Sequence, residues 1–265
     1  MRFKHGIIAF KEGFVSEGSG DCKVNFLIIS EREKIPKTDN EYLIQDEDDL
    51  KAIKKIHNKN KNHILRVILL GKGKTIGKIT ELSQKSAKIE IDDMAFVKGS
   101  KKFVSLALGG LRPVMAKRVI EHSTTLGVKE IHLFPSDYSM KSYFDSNIFK
   151  NKKYLKHMKK GIAQGGNYDS FPSLSIHENY EQIDLKKFSK VCFLNKGENN
   201  NYFSNEIAKN KNLLMFVGPE KGWSKNEINS FKKLNFEEII ISESILRVEF
   251  AINSALSQLE YLRNN

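Results

Sequence analysis

Leu213-Leu-Met-Phe-Val217 is an unbroken apolar run, closed by Gly218-Pro219 and followed by Gly222 and by Ser224 with Glu227 three places on. A run of that length between turn residues predicts a strand buried on both faces, as in parallel sheets covered by helices. Ser224 and Glu227 have the spacing of a capping box, so a helix is expected to start where the loop ends. A glycine-bearing loop beside a helix N-terminus offers amide donors to a nucleotide-like or carboxylate-bearing ligand. The pattern recurs downstream. Residues 237–241 predict a strand, Ser242-Glu-Ser244 breaks it, and residues 248–262 have helical periodicity. Spacing alone also suits two ordinary strand-to-helix units, with glycine and proline as punctuation and Arg247 and Glu249 in solvent.

The same alternation runs upstream to residue 103. Strands are expected at residues 104–108, 131–134, 173–176 and 191–194, and helices at 114–125 (stopped by Gly127), 152–164 and 180–188. This order argues for an α/β fold with a mostly parallel sheet, whose ligands bind beyond the carboxyl ends of the strands. Residues 24–97 read differently, with strands at 26–29, 64–70, 75–79 and 87–91 and one helix at 47–56, which fits a small β-barrel. Glycine and lysine cluster at residues 97–102, where the boundary is placed. Residues 1–23, with Gly13 and Gly18-Ser-Gly20, read as an N-terminal extension.

Several chemistries find no support. Gly71-Lys-Gly-Lys-Thr75 is similar to a phosphate loop, but Ile68 stands where a glycine is required and a strand pattern follows instead of a helix. No Gly-x-Gly-x-x-Gly follows a first strand. Ser105, Ser123 and Ser136 lack the turn of a nucleophile elbow. Cys22 and Cys192 form no Cys-x-x-Cys pair and the seven histidines are scattered, so no metal site is expected. No apolar run is long enough to span a membrane and the N-terminal stretch is too short for a secretory signal, which makes the cytoplasm the default location. A formal charge of +12 suits a polyanionic partner. The Lys- and Asn-rich tract at residues 57–63 is more a compositional habit than a shaped surface. Residues 150–160, with six lysines and Tyr154, predict a basic helix that meets phosphates on one face and packs Leu155 and Met158 on the other.

Gly218-Pro-Glu-Lys-Gly-Trp-Ser224, followed by Ile245-Leu-Arg-Val-Glu-Phe-Ala251, resembles the C-terminal signature of the ribosomal RNA small subunit methyltransferase E family, of the SPOUT superfamily. Leu126-Gly-Val-Lys-Glu-Ile131, residues 154–164, Asn25-Phe-Leu-Ile-Ile29 and Ala87-Lys-Ile-Glu-Ile91 extend the likeness over roughly residues 24–263. The resemblance implies a PUA-like, RNA-docking barrel at 24–97. It implies a SPOUT domain at 101–265, whose trefoil knot binds S-adenosylmethionine, and a homodimer that methylates N3 of a uridine in small-subunit (16S) ribosomal RNA. Cofactor-binding residues would be Leu194, Val217, Gly218, Pro219, Glu220, Gly222, Ile241, Ser242, Ile245 and Leu246. RNA would meet Arg112, Lys153, Lys156, Lys160, Gln164 and Asn167, either on the free RNA or on the assembled small subunit.

Arg247 and Glu249 are the catalytic candidates, the arginine stabilising charge on the base and the carboxylate taking the N3 proton. Alternatively, Arg247 positions RNA and Glu249 anchors the knot. Glu220 either orders its loop or touches the cofactor, and Trp223 is a core plug or a base-stacking ring. The final helix would contribute Ala251, Ala255, Leu256 and Leu259 to a dimer, or bury them in its own subunit. The chain departs from the family pattern at Lys221 and Ser242, where glycine is usual, and at Val248 and Phe250, where threonine is usual. It departs also at Gln164-Gly-Gly-Asn167 and Arg112-Pro113. These departures leave two alternatives: a non-catalytic RNA-binding relative, or a methyltransferase acting at another RNA site.

Overall fold

Apolar residues that alternate along a strand bury one face, and unbroken apolar strands bury two. Both kinds occur here, in two compact units. The computed structural model describes residues 26–57, 64–197 and 201–265. The expected extension 1–23, Cys22 and residues 58–63 lie outside the described residues.

The first unit comprises residues to Ser100 together with Ile162–Ser170. Its strands are β1 (Leu27–Ile29), β2 (Glu41–Ile44), β3 (Ile64–Leu69), β4 (Gly73–Leu82) and β5 (Ala87–Ile91), in the sheet order β1-β3-β4-β5-β2. Helix α1 (Glu47–His57) starts where Asp46 accepts the amides of Asp48 and Asp49, at 3.1 and 3.0 Å. β5 alternates buried and half-buried residues, and its apolar side packs with Tyr42, Ile53 and Val67. Gly71-Lys-Gly is the β3–β4 turn and not a phosphate loop. Gly73 has φ +133°, and a Cβ there would lie 2.5 Å from the Val97 carbonyl oxygen.

The second unit holds β6 (Val104–Gly109), α2 (Pro113–Thr125), β7 (Glu130–Phe134), the start of α3 (Tyr154–Gly165), β8 (Ser173–Ile176) and β9 (Lys190–Leu194). After these come α4 (Asn205–Ala208), β10 (Leu213–Val217), α5 (Lys225–Lys233), β11 (Glu237–Ile239) and α6 (Val248–Asn264). Its sheet runs β11-β9-β10-β6-β7-β8, and every pairing is parallel. β10 is inserted between β6 and β9, both of which precede it in the chain. Alternate residues of β10 feed two cores: Leu213, Met215 and Val217 pack with α2 and α6, while Leu214 and Phe216 pack with Trp223 and Phe231. This is an α/β layer structure with a mostly parallel sheet, as the alternation of elements predicts.

Some expectations are corrected. Residues 180–188 form two short 3-10 turns, Tyr180–Gln182 and Leu185–Lys187, because buried Ile183 is extended between them. The basic helix begins only at Tyr154, since Asn151 and Lys152 have φ of 52° and 54°. Met158 is buried as expected, but Leu155 is exposed. β11 stops at Ile239 because the Ile240 amide turns away to the Asn201 carbonyl, 2.8 Å. β2 and α4 were not anticipated. On α6, Ala255, Leu256 and Leu259 belong to the unit's own core, with Ala251 packed against it. These side chains are therefore used within the subunit. Among the described residues no helix is long and apolar enough to cross a membrane.

Candidate active site

Three adjacent strands end on one side of the second unit's sheet, with Leu194 closing β9, Val217 closing β10, and β11 ending at Ile239. Open α/β sheets bind ligands beyond such ends. After β10, Gly218 and Pro219 are buried, and the Gly222 amide donates to the Pro219 carbonyl at 2.8 Å, closing a turn. Gly222 has φ +74°, a left-handed conformation that favours glycine, and an added Cβ would find nothing within 4 Å. The expected capping box is formed: Ser224 N donates to Glu227 Oε2 at 2.8 Å, and Glu227 N to Ser224 Oγ at 3.1 Å. Glu220 is exposed, and its Oε1 accepts the Arg112 amide at 3.4 Å. That contact links the loop after β10 to the start of α2.

Trp223 is a core plug. Its ring is 7% exposed, stacks on Phe134 at 6.2 Å between centroids and meets Phe231 edge-on. Its indole Nε1 donates to the Leu194 carbonyl at 3.1 Å, which ties the loop after β10 to the end of β9. The end of β9 is tied in turn to β11 by Asn195 N to the Ile239 carbonyl, 3.1 Å, and by Asn195 Nδ2 to Glu238 Oε1, 2.6 Å. Lys196 Nζ donates to the Glu243 carbonyl, and Gln258 Nε2 of α6 to the Ile241 carbonyl at 2.9 Å. Leu194, residues 217–222, Ile241 and Ser242 thus form one hydrogen-bonded group of loops. Leu246 is half-buried, whereas Ile245 is 89% exposed.

Arg247 is the exposed N-cap residue of α6, and Glu249 lies two places on. Glu249 is 5% exposed, which overturns the reading that places it in solvent. Its Oε1 is 3.8 Å from Arg118 Nη1, and its Oε2 has no hydrogen-bond partner among the described residues. Of the RNA candidates, Arg112 is exposed at the start of α2, Lys153 precedes α3, and Lys156 and Lys160 are exposed on it. Gln164 and Asn167 belong to the first unit. There the Asn167 side chain accepts from Ser100 Oγ at 3.1 Å.

Two features escaped the sequence reading. Asp137, in the loop after β7, accepts a hydrogen bond from Ser224 Oγ, and its amide donates to Glu227 Oε1 at 3.2 Å. Burial holds the Glu227 carboxyl above the ordinary carboxylate range, while the amides of Ser224 and Asp137 pull it the other way. The histidines are not all scattered either. His132 Nδ1 lies 3.0 Å from His177 Nε2, and His132 Nε2 lies 3.2 Å from Glu130 Oε2. Burial lowers both imidazole pKa values, and at His132 the neighbouring His177 lowers it further. β7 pairs β8 in register, which brings the two rings together, but no local pattern in the chain marks that pairing.

Residues 98–260 match the family model of the RNA methyltransferase domain. The chain belongs to that family. It is 31% identical over 158 residues to the ribosomal RNA small subunit methyltransferase E 1 of Borreliella burgdorferi, covering 58% of this chain and 65% of the relative. It is 22% identical over 175 residues to the ribosomal RNA small subunit methyltransferase E of Treponema pallidum, covering 63% of this chain and 64% of that one. The chain therefore spans just under two thirds of these relatives' length. A crystal structure of the ribosomal RNA small subunit methyltransferase E from Neisseria gonorrhoeae, bound to S-adenosyl methionine, superposes with a TM-score of 0.71. That match covers 90% of this chain and 98% of the other at 16% identity, so it speaks to the fold alone. These relatives bear the family name to which the two C-terminal segments led.

Proposed function

We propose that this protein is an S-adenosylmethionine-dependent RNA methyltransferase acting on small-subunit ribosomal RNA, at N3 of a uridine. The observation that carries this reading is the group of loops at the ends of β9, β10 and β11, joined through Trp223, Asn195, Lys196 and Gln258. The loops suit the cofactor chemically. Gly222 leaves open space where a ligand can approach the backbone, and Leu194, Ile241 and Leu246 offer apolar surface to an adenine. S-adenosylmethionine, when bound, supplies a methyl group on an electrophilic sulfonium. Gly218, Pro219, Glu220, Gly222, Ser242 and Ile245 would shape its pocket, together with Val217.

Glu249 is the group for the base's proton, since a buried carboxylate with one unpartnered oxygen can accept it. Arg247, exposed two residues earlier, would face the negative charge that develops on the uracil ring. The contact between Arg118 and Glu249 supports a second reading, in which Glu249 anchors the knot and Arg247 positions RNA. Arg112, Lys153, Lys156 and Lys160 would hold phosphates, and Gln164 and Asn167 would lie near the RNA.

The insertion of β10 between two earlier strands supports a trefoil knot in residues 101–265, and the mixed sheet supports a PUA-like, RNA-docking barrel in 24–97. A homodimer fits the exposed apolar side chains Val114 and Phe250, and a cytoplasmic location fits a ribosomal substrate.

The test has two arms. Calorimetry should detect S-adenosylmethionine binding, and no binding at millimolar cofactor would remove the enzyme reading. Mapping of methylated uridines in ribosomes made with and without the gene should reveal one lost modification. Unchanged ribosomal RNA would refute the substrate.

A further inference from the structure

We propose that the loop after β7 is a base-stacking platform, with Tyr138 as the ring on which a nucleotide of single-stranded RNA rests; this builds on the RNA methyltransferase reading above. The loop is fixed in place. Ser136 N donates to Ser139 Oγ at 2.9 Å and Ser139 N to the Ser136 carbonyl at 2.9 Å. Asp137, directly before the tyrosine, is held from both sides by Ser224 Oγ and Glu227 Oε1. The underside packs against the sheet end. A Cβ at Gly110 would lie 2.7 Å from Ser139 Oγ, and one at Gly109 would meet Pro219 Cδ at 2.8 Å and Ser136 Oγ at 3.1 Å. The loop after β7 and the loop after β10 therefore share one floor, and the platform borders the candidate pocket.

Tyr138 and Met140 stay 50% and 61% exposed on this rigid backbone. Among the described residues neither a hydrogen bond nor another ring holds Tyr138. An exposed aromatic on a fixed loop loses little entropy when a base stacks on it, and a methionine beside it adds soft, adaptable surface. The surrounding charge selects the occupant. Lys141, Arg112, Lys221 and Lys225 are exposed around these loops, while Asp137 and Glu220 already accept protein hydrogen bonds. A polyanion with unstacked bases, hence single-stranded RNA, matches a positive rim around an aromatic face.

Fluorescence anisotropy with two probes of equal length tests the platform on the full chain: an oligouridylate, and the same ribose-phosphate chain without bases. Tyr138→Ala should weaken oligouridylate binding by about 5- to 150-fold, the range expected for one lost stack, and leave the abasic probe unchanged. Tyr138→Phe should bind both probes as the wild type does, and Tyr138→Leu should fall between. An undiminished affinity of Tyr138→Ala for oligouridylate, or an equal loss on both probes, overturns the platform. Methyl transfer by the wild type is measured alongside. Transfer that persists with no effect of Tyr138 removes the platform alone, whereas a wild type that neither binds cofactor nor transfers methyl removes the reading beneath it.

Discussion

Trp223→Phe removes one donor and part of one ring from the junction between two of the site's loops. The Leu194 carbonyl loses the indole donor at 3.1 Å, in a residue only 8% exposed. Leaving a buried acceptor unpaired costs about 1–3 kcal/mol. The smaller phenylalanine ring keeps part of the contact with Phe134 and Phe231 but leaves a void, which places the total toward the upper end. At about 2–4 °C per kcal/mol for a unit of this size, Tm should fall by roughly 2–12 °C. Circular dichroism is the proper probe, because Trp223 is the chain's single tryptophan and its emission disappears with it. If the cofactor needs the two loops locked together, the same free energy appears as about 5- to 150-fold weaker binding. A variant within about 0.5 kcal/mol of the wild type, with unaltered cofactor affinity, would refute the view that the indole couples the loops.

Gly222→Ala meets no atom within 4 Å but places a side chain at φ +74°, so a stability loss of roughly 1–2 kcal/mol is expected. Calorimetry should show a larger loss of S-adenosylmethionine affinity; unchanged affinity would place the cofactor elsewhere. Glu249→Gln should lower methyl transfer by about 10²- to 10⁴-fold with cofactor binding retained, as expected for loss of a proton acceptor. Normal turnover would leave Glu249 as an anchor. Acid should destabilise the fold through His132 and His177, whose folded pKa values lie below the ordinary 6.5. The unfolded chain then binds more protons than the folded one, so this contribution is complete above about 6.5 and is lost as pH falls toward the lowered values. A His132→Asn, His177→Asn double variant should flatten the decline of Tm between neutral and mildly acidic pH, and an unchanged slope would clear the pair of that role.

Where burial is decided by the residues of one segment, the sequence was readable. β10 is apolar along its length and β6 is so except at Ser105, α2 carries proline at its start and a glycine just past its end, and Ser224 with Glu227 marks the start of α5. The errors came from tertiary pull. Ile183 is drawn extended into the core and splits the expected helix, and Ile240 leaves the ladder for Asn201. β2, with only Tyr42 and Ile44 buried, is too short to stand out. At the site, the Gly218–Gly222 loop and Arg247 were legible from the motifs. The burial of Glu249 beside Arg118 was not, since it depends on the packing of α2 on α6. Nor was the link between Asp137 and Ser224, which are 87 positions apart.

The place of β10 in the sheet also sets when the unit can assemble. Leu213 pairs with Val104 on one side and Lys190 on the other. During synthesis β6 leaves the ribosome long before β10 does, and β9 only shortly before it. β6 waits longest for a partner, since β10 follows it only after β7, β8 and β9, while β9 has both its neighbours, β10 and β11, still to come. Until residue 217 emerges, β6 keeps one open edge and β9 has no strand beside it, and such unpaired apolar edges invite contact with other chains. Pairings so distant in sequence are slow to form. The nascent chain is therefore most vulnerable to aggregation just before its central strand arrives, and a chaperone that shields β6 and β9 at that stage would raise the yield of folded protein.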